Sequence, residues 1–275
     1  MVADYVLAST PEEAAELLAA DPAAIVMGGG TTLMPRATRG QLNGRRVVGL
    51  ARAGLSGIAR DGGLRIGAMT PVREVAALEE PAALAEAARA VGGATLRGQA
   101  TVGGNVLMER PYGDLVPVLL ALDAELEVLG SGGTRRVPLV EALKNDPPVG
   151  AGEILTAVIV PDVDGAVSYQ RCSRLATGSP SIVAVAARVR REGDAIAEAR
   201  LAIGAVEPRA VRADAAEEAL VGTSGDADAV NAAVAAATGA LNPVDDVAAS
   251  AWYRGRMAEL FVRRALTEAL EGGRG

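Results

Sequence analysis

The sequence predicts an α+β protein, and two patterns carry that prediction. Up to about residue 165, short apolar runs closed by Gly or Pro alternate with alanine-rich helical segments. Beyond that point three strand-like runs follow one another before three helices close the chain. No internal repeat and no low-complexity tail interrupts this order.

The first strand is expected over Tyr5–Ala8. Thr10 then supplies an N-cap hydroxyl, Pro11 suits the first helical position and Glu13 completes a capping box. Asp21-Pro22 ends that helix, and Ala24–Met27 reads as a short buried strand. Val47–Leu50 and Leu64–Ile66 are further strands. Thr70-Pro71 repeats the cap-plus-proline start of a helix, and Pro81 opens an alanine-rich one. Gly113-Asp114 leads into a buried helix over Leu115–Leu122. Leu126–Leu129 and Arg135–Val137 flank Gly130-Ser131-Gly132-Gly133, a hairpin signal. Ile154–Val160 is a strand ended by Pro161-Asp162, and Asp162–Ala166 is the expected domain junction.

In the last third, strands are expected over Ser168–Arg171, Ile182–Arg190 and Ala195–Ile203, with a tight turn at Glu192-Gly193-Asp194. Helices follow around Val211–Val221, Asp226–Ala237 and Ser250–Leu270. In the last of these, Tyr253, Met257, Leu260 and Phe261 fall on one face and read as core packing.

Two glycine-rich turns carry the chemistry. The first runs Met27-Gly28-Gly29-Gly30-Thr31-Thr32-Leu33 and the second Ala100-Thr101-Val102-Gly103-Gly104-Asn105. Without Cβ atoms, backbone N–H groups can converge on an anion, and Thr and Asn side chains add donors. Two such nests suit a ligand with two bridged phosphates. A Walker loop is excluded because no Gly precedes a Lys. The dinucleotide fingerprint fails too, since Leu33 stands where its third Gly belongs.

Composition narrows the function classes. The chain has 275 residues, half of them apolar, which is ample for one large domain or two modest ones. A net charge of −7 without a Lys/Arg cluster argues against nucleic-acid binding. A single Phe and four Tyr leave no stacking platform for single strands. The apolar runs are too short to cross a bilayer and the N-terminus lacks a signal-like stretch, so a soluble, cytoplasmic protein is expected. There is no His, which excludes Ser-His, Cys-His and His-metal mechanisms within this chain. The one cysteine, Cys172, cannot form an intrachain disulfide or hold an iron–sulfur cluster. Catalysis must therefore lean on a bound cofactor, on carboxylates or on a partner.

The chain resembles the FAD-binding medium subunit of molybdenum hydroxylases, the xanthine dehydrogenase and carbon monoxide dehydrogenase family, from about Tyr5 to about Leu266. Gly28-Gly29-Gly30-Thr31-Thr32-Leu33 is similar to the family's A-G-G-[TQ]-[DS]-L loop. Ala100-Thr101-Val102-Gly103-Gly104-Asn105 is similar to its A-T-[IV]-G-G-N signature, and Pro111-Tyr112-Gly113-Asp114-Leu115 to the following S-P-x-[SG]-D-L element. Glu153-Ile154-Leu155, Arg171–Arg174 and Tyr253-Arg254 with Arg264-Ala265-Leu266 follow in the expected order.

The resemblance implies a PCMH-type FAD-binding domain over residues 1–165, with lobes of about 1–55 and 56–165 that together hold FAD. A C-terminal domain of three antiparallel strands and a helical bundle would occupy 166–275. By the same analogy Met27, Gly28, Gly29, Gly30, Thr31, Thr32 and Leu33, with Ala100, Thr101, Gly103 and Gly104, lie along the pyrophosphate and ribityl regions. Asn105, Leu107, Gly113 and Asp114 lie on the adenosine and ribityl side, and Leu155 near the adenine or the ring edge. Gln170 occupies the position where xanthine dehydrogenases carry a Lys near the isoalloxazine. No catalytic side chain and no metal ligand is implied.

The residues themselves leave some roles open. Asp114 also suits an N-cap for the Leu115 helix, Leu155 suits ordinary strand core, and Arg174 suits either the flavin edge or a surface ion pair. Departures from the pattern are Thr32 for the usual Asp or Ser, Met108-Glu109-Arg110 for small residues and Ser, the uncharged Gln170, and Ser179 for Asp.

The implied function is an electron-transfer flavoprotein subunit with non-covalent FAD, since no His is present to link it. An iron–sulfur small subunit and a molybdopterin large subunit would be its partners, with NAD, a quinone or oxygen as acceptor. Two rivals share the fold. One is a free-standing flavoenzyme acting on an organic substrate, motivated by Met108-Glu109-Arg110, and the other a non-enzymatic scaffold that has lost FAD, motivated by Thr32 and Gln170.

Overall fold

The computed structural model describes residues 2–108, 113–175 and 178–272. Glu109, Arg110, Pro111 and Tyr112, on which part of the motif pattern falls, lie outside the described residues. The chain opens with β1 (Asp4–Leu7), α1 (Pro11–Ala20), β2 (Ile25–Met27), α2 (Leu33–Thr38), β3 (Arg46–Gly49), β4 (Ile58–Arg60) and β5 (Gly63–Gly67). Four helices follow, α3 (Val72–Val75), α4 (Ala82–Ala90), α5 (Ala94–Gln99) and α6 (Val102–Val106), and then α7 (Val116–Ala121). A hairpin of β6 (Glu125–Gly130) and β7 (Gly133–Pro138) leads through α8 (Leu139–Ala142) to β8 (Ile154–Pro161). The last third holds β9 (Ala166–Ser173), β10 (Ser181–Glu192), β11 (Ala195–Gly204), β12 (Val211–Arg212), α9 (Asp214–Leu220), α10 (Ala227–Gly239) and α11 (Ala251–Gly272).

These elements form two compact units. The first comprises Met1–Val75, Gly93–Leu107 and Ala124–Pro161, and the second Ala76–Gly92, Met108–Asp123 and Asp162–Gly275.

In the first unit a small parallel sheet, β1-β3-β2, accompanies a five-stranded antiparallel sheet, β4-β5-β8-β6-β7. Helix α1 starts where the sequence places it: Thr10 Oγ1 accepts the Glu13 N–H at 3.1 Å. The Glu13 carboxylate returns to the N–H of Ser9, one residue before the cap, at 2.7 Å. Ala14 and Leu18 of that helix bury against Val48, Leu50 and Ile154. The predicted hairpin forms, with Gly130 paired to Gly133, which adopts φ +92°.

In the second unit β9, β10 and β11 form an antiparallel sheet that the two-residue strand β12 extends at one edge. Strand β10 is buried without a break from Ser181 to Val189, and its apolar run Ile182–Ala187 suits a strand covered on both faces. Val183, Val185, Ala187 and Val189 join the core formed with α11, while the alternate Arg188 donates to the carbonyl of Ala121 at the end of α7. Helix α11 buries Arg254, Ala258, Phe261, Val262, Ala265, Leu266, Ala269 and Leu270, a stripe at helical spacing.

Two expectations are corrected here. Val211 and Arg212 pair with β11 as a strand, so the helix expected from Val211 begins at Asp214. Of the face read as core packing, Phe261 is buried and Met257 partly so, but Tyr253 and Leu260 are exposed. The buried stripe is displaced around the helix because Arg254, not Tyr253, turns inward. Its guanidinium is fully buried, donates to the carbonyls of Ile182 and Ala205, both at 2.6 Å, and lies 2.6 Å from Asp246.

Candidate functional site

Both glycine turns belong to the first unit, and there they touch. The first follows β2, where the chain leaves the parallel sheet and turns into α2. A Cβ at Gly28 would lie 2.8 Å from Thr101 Oγ1, and one at Gly29 would lie 1.8 Å from the Gln99 carbonyl oxygen. Glycine is therefore required at 29 by contact with the second turn's backbone. Gly30 is required for another reason, a backbone φ of +70°. Met27 and Met34 flank Gly30, and the Met69 thioether lies beside Gly28. Residues 27–33 are all partly exposed.

The amides of the two turns differ. Gly103 donates its N–H to the carbonyl of Ala68 at 2.8 Å, and Gly104 donates to Thr101 Oγ1 at 3.2 Å. Val102 donates to Thr70 O at 2.9 Å. Thr101 is thus the N-cap of α6, and the turn is closed upon itself. Gly103 is a packing glycine, since a Cβ there would lie 2.9 Å from Ala68 Cβ. By contrast, the N–H groups of Gly28, Gly29, Gly30 and Thr31 donate to no acceptor among the described residues. The open donors are on the first turn.

The remaining predicted residues divide between the units. Ala100, Asn105 and Leu155 are buried in the first; Leu155 sits on β8 opposite Val128 of β6, and Leu107 ends α6 partly exposed. Gly113, Asp114 and Gln170 belong to the second unit. Gln170, on β9, donates its amide to Glu268 of α11 at 2.6 Å. Arg174 is exposed.

Asp114 makes no capping bond to α7, whose N-cap is Leu115. Its buried carboxylate accepts the Ser181 hydroxyl and stands 3.7 Å from Arg171 Nε. Burial pushes its pKa up to about 6, against the lowering influence of Ser181 and Arg171. Tyr169 lies nearby, its buried hydroxyl held well above the usual phenol range by desolvation and the Asp114 charge. Neither Ser181 nor Tyr169 is marked in the sequence. Ser181 reaches Asp114 because the register of β10 against β9 shifts between Ser181 and Val183, and no sequence pattern announces that bulge.

A depression of about 400 Å³ lies elsewhere in the first unit, lined by Gly130–Gly133 and Gly150–Glu153. Its polar groups are satisfied by one another: Arg135 clasps both oxygens of Glu153 at 3.0 and 2.7 Å, and Glu153 takes the Gly150 N–H at 2.9 Å. It includes none of the predicted site residues. Among the described residues no cluster of acidic, Cys or His side chains could hold a metal, and no helix is long and apolar enough to cross a membrane.

Comparison with known proteins now bears on this geometry. Residues 1–163 match the family described as the FAD binding domain in molybdopterin dehydrogenase, and residues 168–269 match the CO dehydrogenase flavoprotein C-terminal domain. The 6-hydroxypseudooxynicotine dehydrogenase complex subunit alpha of Paenarthrobacter nicotinovorans is 30% identical over 98% of this chain and 95% of its own. The glyceraldehyde dehydrogenase medium chain of Sulfolobus acidocaldarius is 28% identical over 61% of this chain, and the match spans 60% of that relative's length. Among solved structures, carbon monoxide dehydrogenase from Hydrogenophaga pseudoflava superposes with a TM-score of 0.91 at 28% identity, covering 98% of each chain. Quinoline 2-oxidoreductase from Pseudomonas putida 86 gives 0.86 at 26% identity, covering 98% of this chain and 97% of the other.

Proposed function

This chain belongs to the FAD-binding medium subunits of the molybdenum hydroxylase family, and from that premise we propose that it is the electron-transfer subunit of a molybdopterin-dependent dehydrogenase. FAD is the family's cofactor. Bound there, it would supply the redox chemistry, taking electrons from iron–sulfur clusters on a partner and passing them to NAD, a quinone or oxygen.

The residues fit a nucleotide with a diphosphate bridge. The observation that carries this reading is the run of four uncommitted amides at Gly28–Thr31, beside a backbone approach that no side chain at Gly29 would permit. In this reading Met27–Leu33 hold the diphosphate, and Ala100, Thr101, Gly103 and Gly104 form the wall that shapes the loop. Asn105, Leu107, Gly113, Asp114, Leu155 and Gln170 are carried as further cofactor contacts. The proposed division of the chain remains 1–165 for FAD and 166–275 for the C-terminal domain.

The protein contributes positioning and electrostatics. Open amides neutralise phosphate charge without a lysine, and the single cysteine leaves the clusters to another polypeptide. Relatives named as medium chains and as a complex subunit support that division of labour. Affinity isolation of the tagged chain from its native cells tests it. A ferredoxin-like and a molybdopterin-binding polypeptide in stoichiometric amounts are expected. Isolation alone, with turnover of an organic substrate by the single chain, would overturn the subunit reading in favour of a free-standing flavoenzyme.

A further inference from the structure

Three of the chain's six methionines stand against the first glycine turn, all within the first unit. Met69 Sδ lies 3.5 Å from where a Cβ on Gly28 would sit. A Cβ on Gly30 would meet Met34 Cγ at 3.4 Å and Met27 Sδ at 3.5 Å. Both of these side chains therefore converge on the bare face of Gly30. The Met34 N–H donates to the Gly30 carbonyl at 2.9 Å, which ties the root of that side chain to the turn.

The methionines differ in access. Met34 is 55% exposed, whereas Met27, Met69, Met108 and Met257 are partly buried. A thioether is only a weak acceptor, so it leaves neighbouring amides free. Its sulfoxide is polar and carries an oxygen on the same flexible stem. The N–H groups of Gly28, Gly29, Gly30 and Thr31 have no acceptor among the described residues. An oxygen added to Met34 thus finds donors within its own turn.

Hydrogen peroxide can supply that oxygen. The sulfur lone pair attacks one peroxide oxygen, the O–O bond breaks, an S–O bond forms and water leaves. Sulfur is oxidised by two electrons and the peroxide is reduced by two. Peroxide is the two-electron reduction product of oxygen, one of the acceptors considered for this subunit.

We propose that Met34 is an oxidation site whose sulfoxide takes the open amides of the first turn and so closes it to a diphosphate. This rests on the reading of Met27–Leu33 as the diphosphate grip. It makes nucleotide retention sensitive to peroxide and restorable by methionine sulfoxide reductases.

The test treats the full apo-chain with hydrogen peroxide and follows three quantities. Peptide mass spectrometry locates the sulfoxide, amide hydrogen exchange reads residues 28–31, and flavin fluorescence gives FAD affinity. Met34 should oxidise first, exchange at 28–31 should slow, and FAD should bind about tenfold more weakly, the equivalent of one charge-assisted hydrogen bond. The two reductases, one for each sulfoxide epimer, should reverse all three changes. Met34→Leu should bind FAD as the untreated wild type does and keep that affinity after peroxide. Met34→Gln, which offers an amide carbonyl near the position of the sulfur, should bind FAD weakly without peroxide. An equal loss of affinity in peroxide-treated wild type and Met34→Leu overturns the proposal. Met34 sulfoxide with unchanged exchange at 28–31 overturns it too. Slowed exchange with unchanged FAD affinity upholds capture of the amides and overturns the diphosphate reading instead.

Discussion

Gly29 rests against the carbonyl of Gln99 so closely that a Cβ would fall 1.8 Å from the oxygen. The turn after β2 and the turn before α6 are thereby held as one structure. The open amides of the first turn are set in place by a backbone contact with the second, and the proposed nucleotide site would be sensitive to single methyl groups.

Gly29→Ala should lower both FAD content and stability. Backbone must move to admit the methyl, at a cost on the order of 1–3 kcal/mol or more. Gly132, where a Cβ meets nothing within 4 Å, is the control, and Gly132→Ala should leave both unchanged. Flavin absorbance per chain and the melting temperature read the two effects.

Gly103→Val should also lose FAD, with a fall in melting temperature. Its amide is spent on Ala68 and its missing side chain makes room for that residue. Loss of FAD at an unchanged melting temperature would return Gly103 to direct contact with the cofactor.

Much of this was legible in the residues, and the exceptions have physical causes. The strands β10 and β11 and the hairpin of β6 and β7 announce themselves through apolar runs closed by Gly-containing turns. Helices α1 and α10 are capped by Thr10 and Asp226. Glycines at 28–30 and 103–104 signal close backbone approach, but not what approaches. Whether an amide meets a phosphate or the carbonyl of Ala68 depends on a neighbour far along the chain. The burial of Arg254 and Ser181 was not legible for the same reason: a charged or small polar residue gives no hint that the fold will bury it.

Asp114→Asn should alter the pH dependence of apo-protein stability. The folded-state pKa stands at about 6, above the ordinary 3.8. The native state thus holds the proton more tightly, and wild-type stability falls as pH rises from about 4 to about 6. A proton affinity displaced that far on folding is worth about 3 kcal/mol. Relative to wild type, the Asn variant should gain up to about that amount between pH 4 and pH 7, read by urea denaturation. A constant difference across this range would contradict the buried, proton-hungry carboxyl.

Glu217→Ala should destabilise the second unit without changing its chemistry. Glu217 is buried, accepts the Leu201 N–H at 2.8 Å and clasps Arg212 through two bonds of 2.6 Å. Removing it strands a donor and weakens a guanidinium otherwise held by Asp123 at 3.0 Å. A loss of about 3 kcal/mol is expected, with FAD stoichiometry of the folded fraction unchanged.

Comparing FAD with FMN tests the diphosphate grip at Gly28–Thr31 most directly, because FMN carries the same ring and ribityl chain without the bridge. Calorimetric titration of the full chain should show stoichiometric FAD binding. FMN should bind at least about 100-fold more weakly, since two charge-assisted hydrogen bonds at roughly 1.5 kcal/mol each are lost. Equal affinity for the two flavins, or binding of neither, would contradict it.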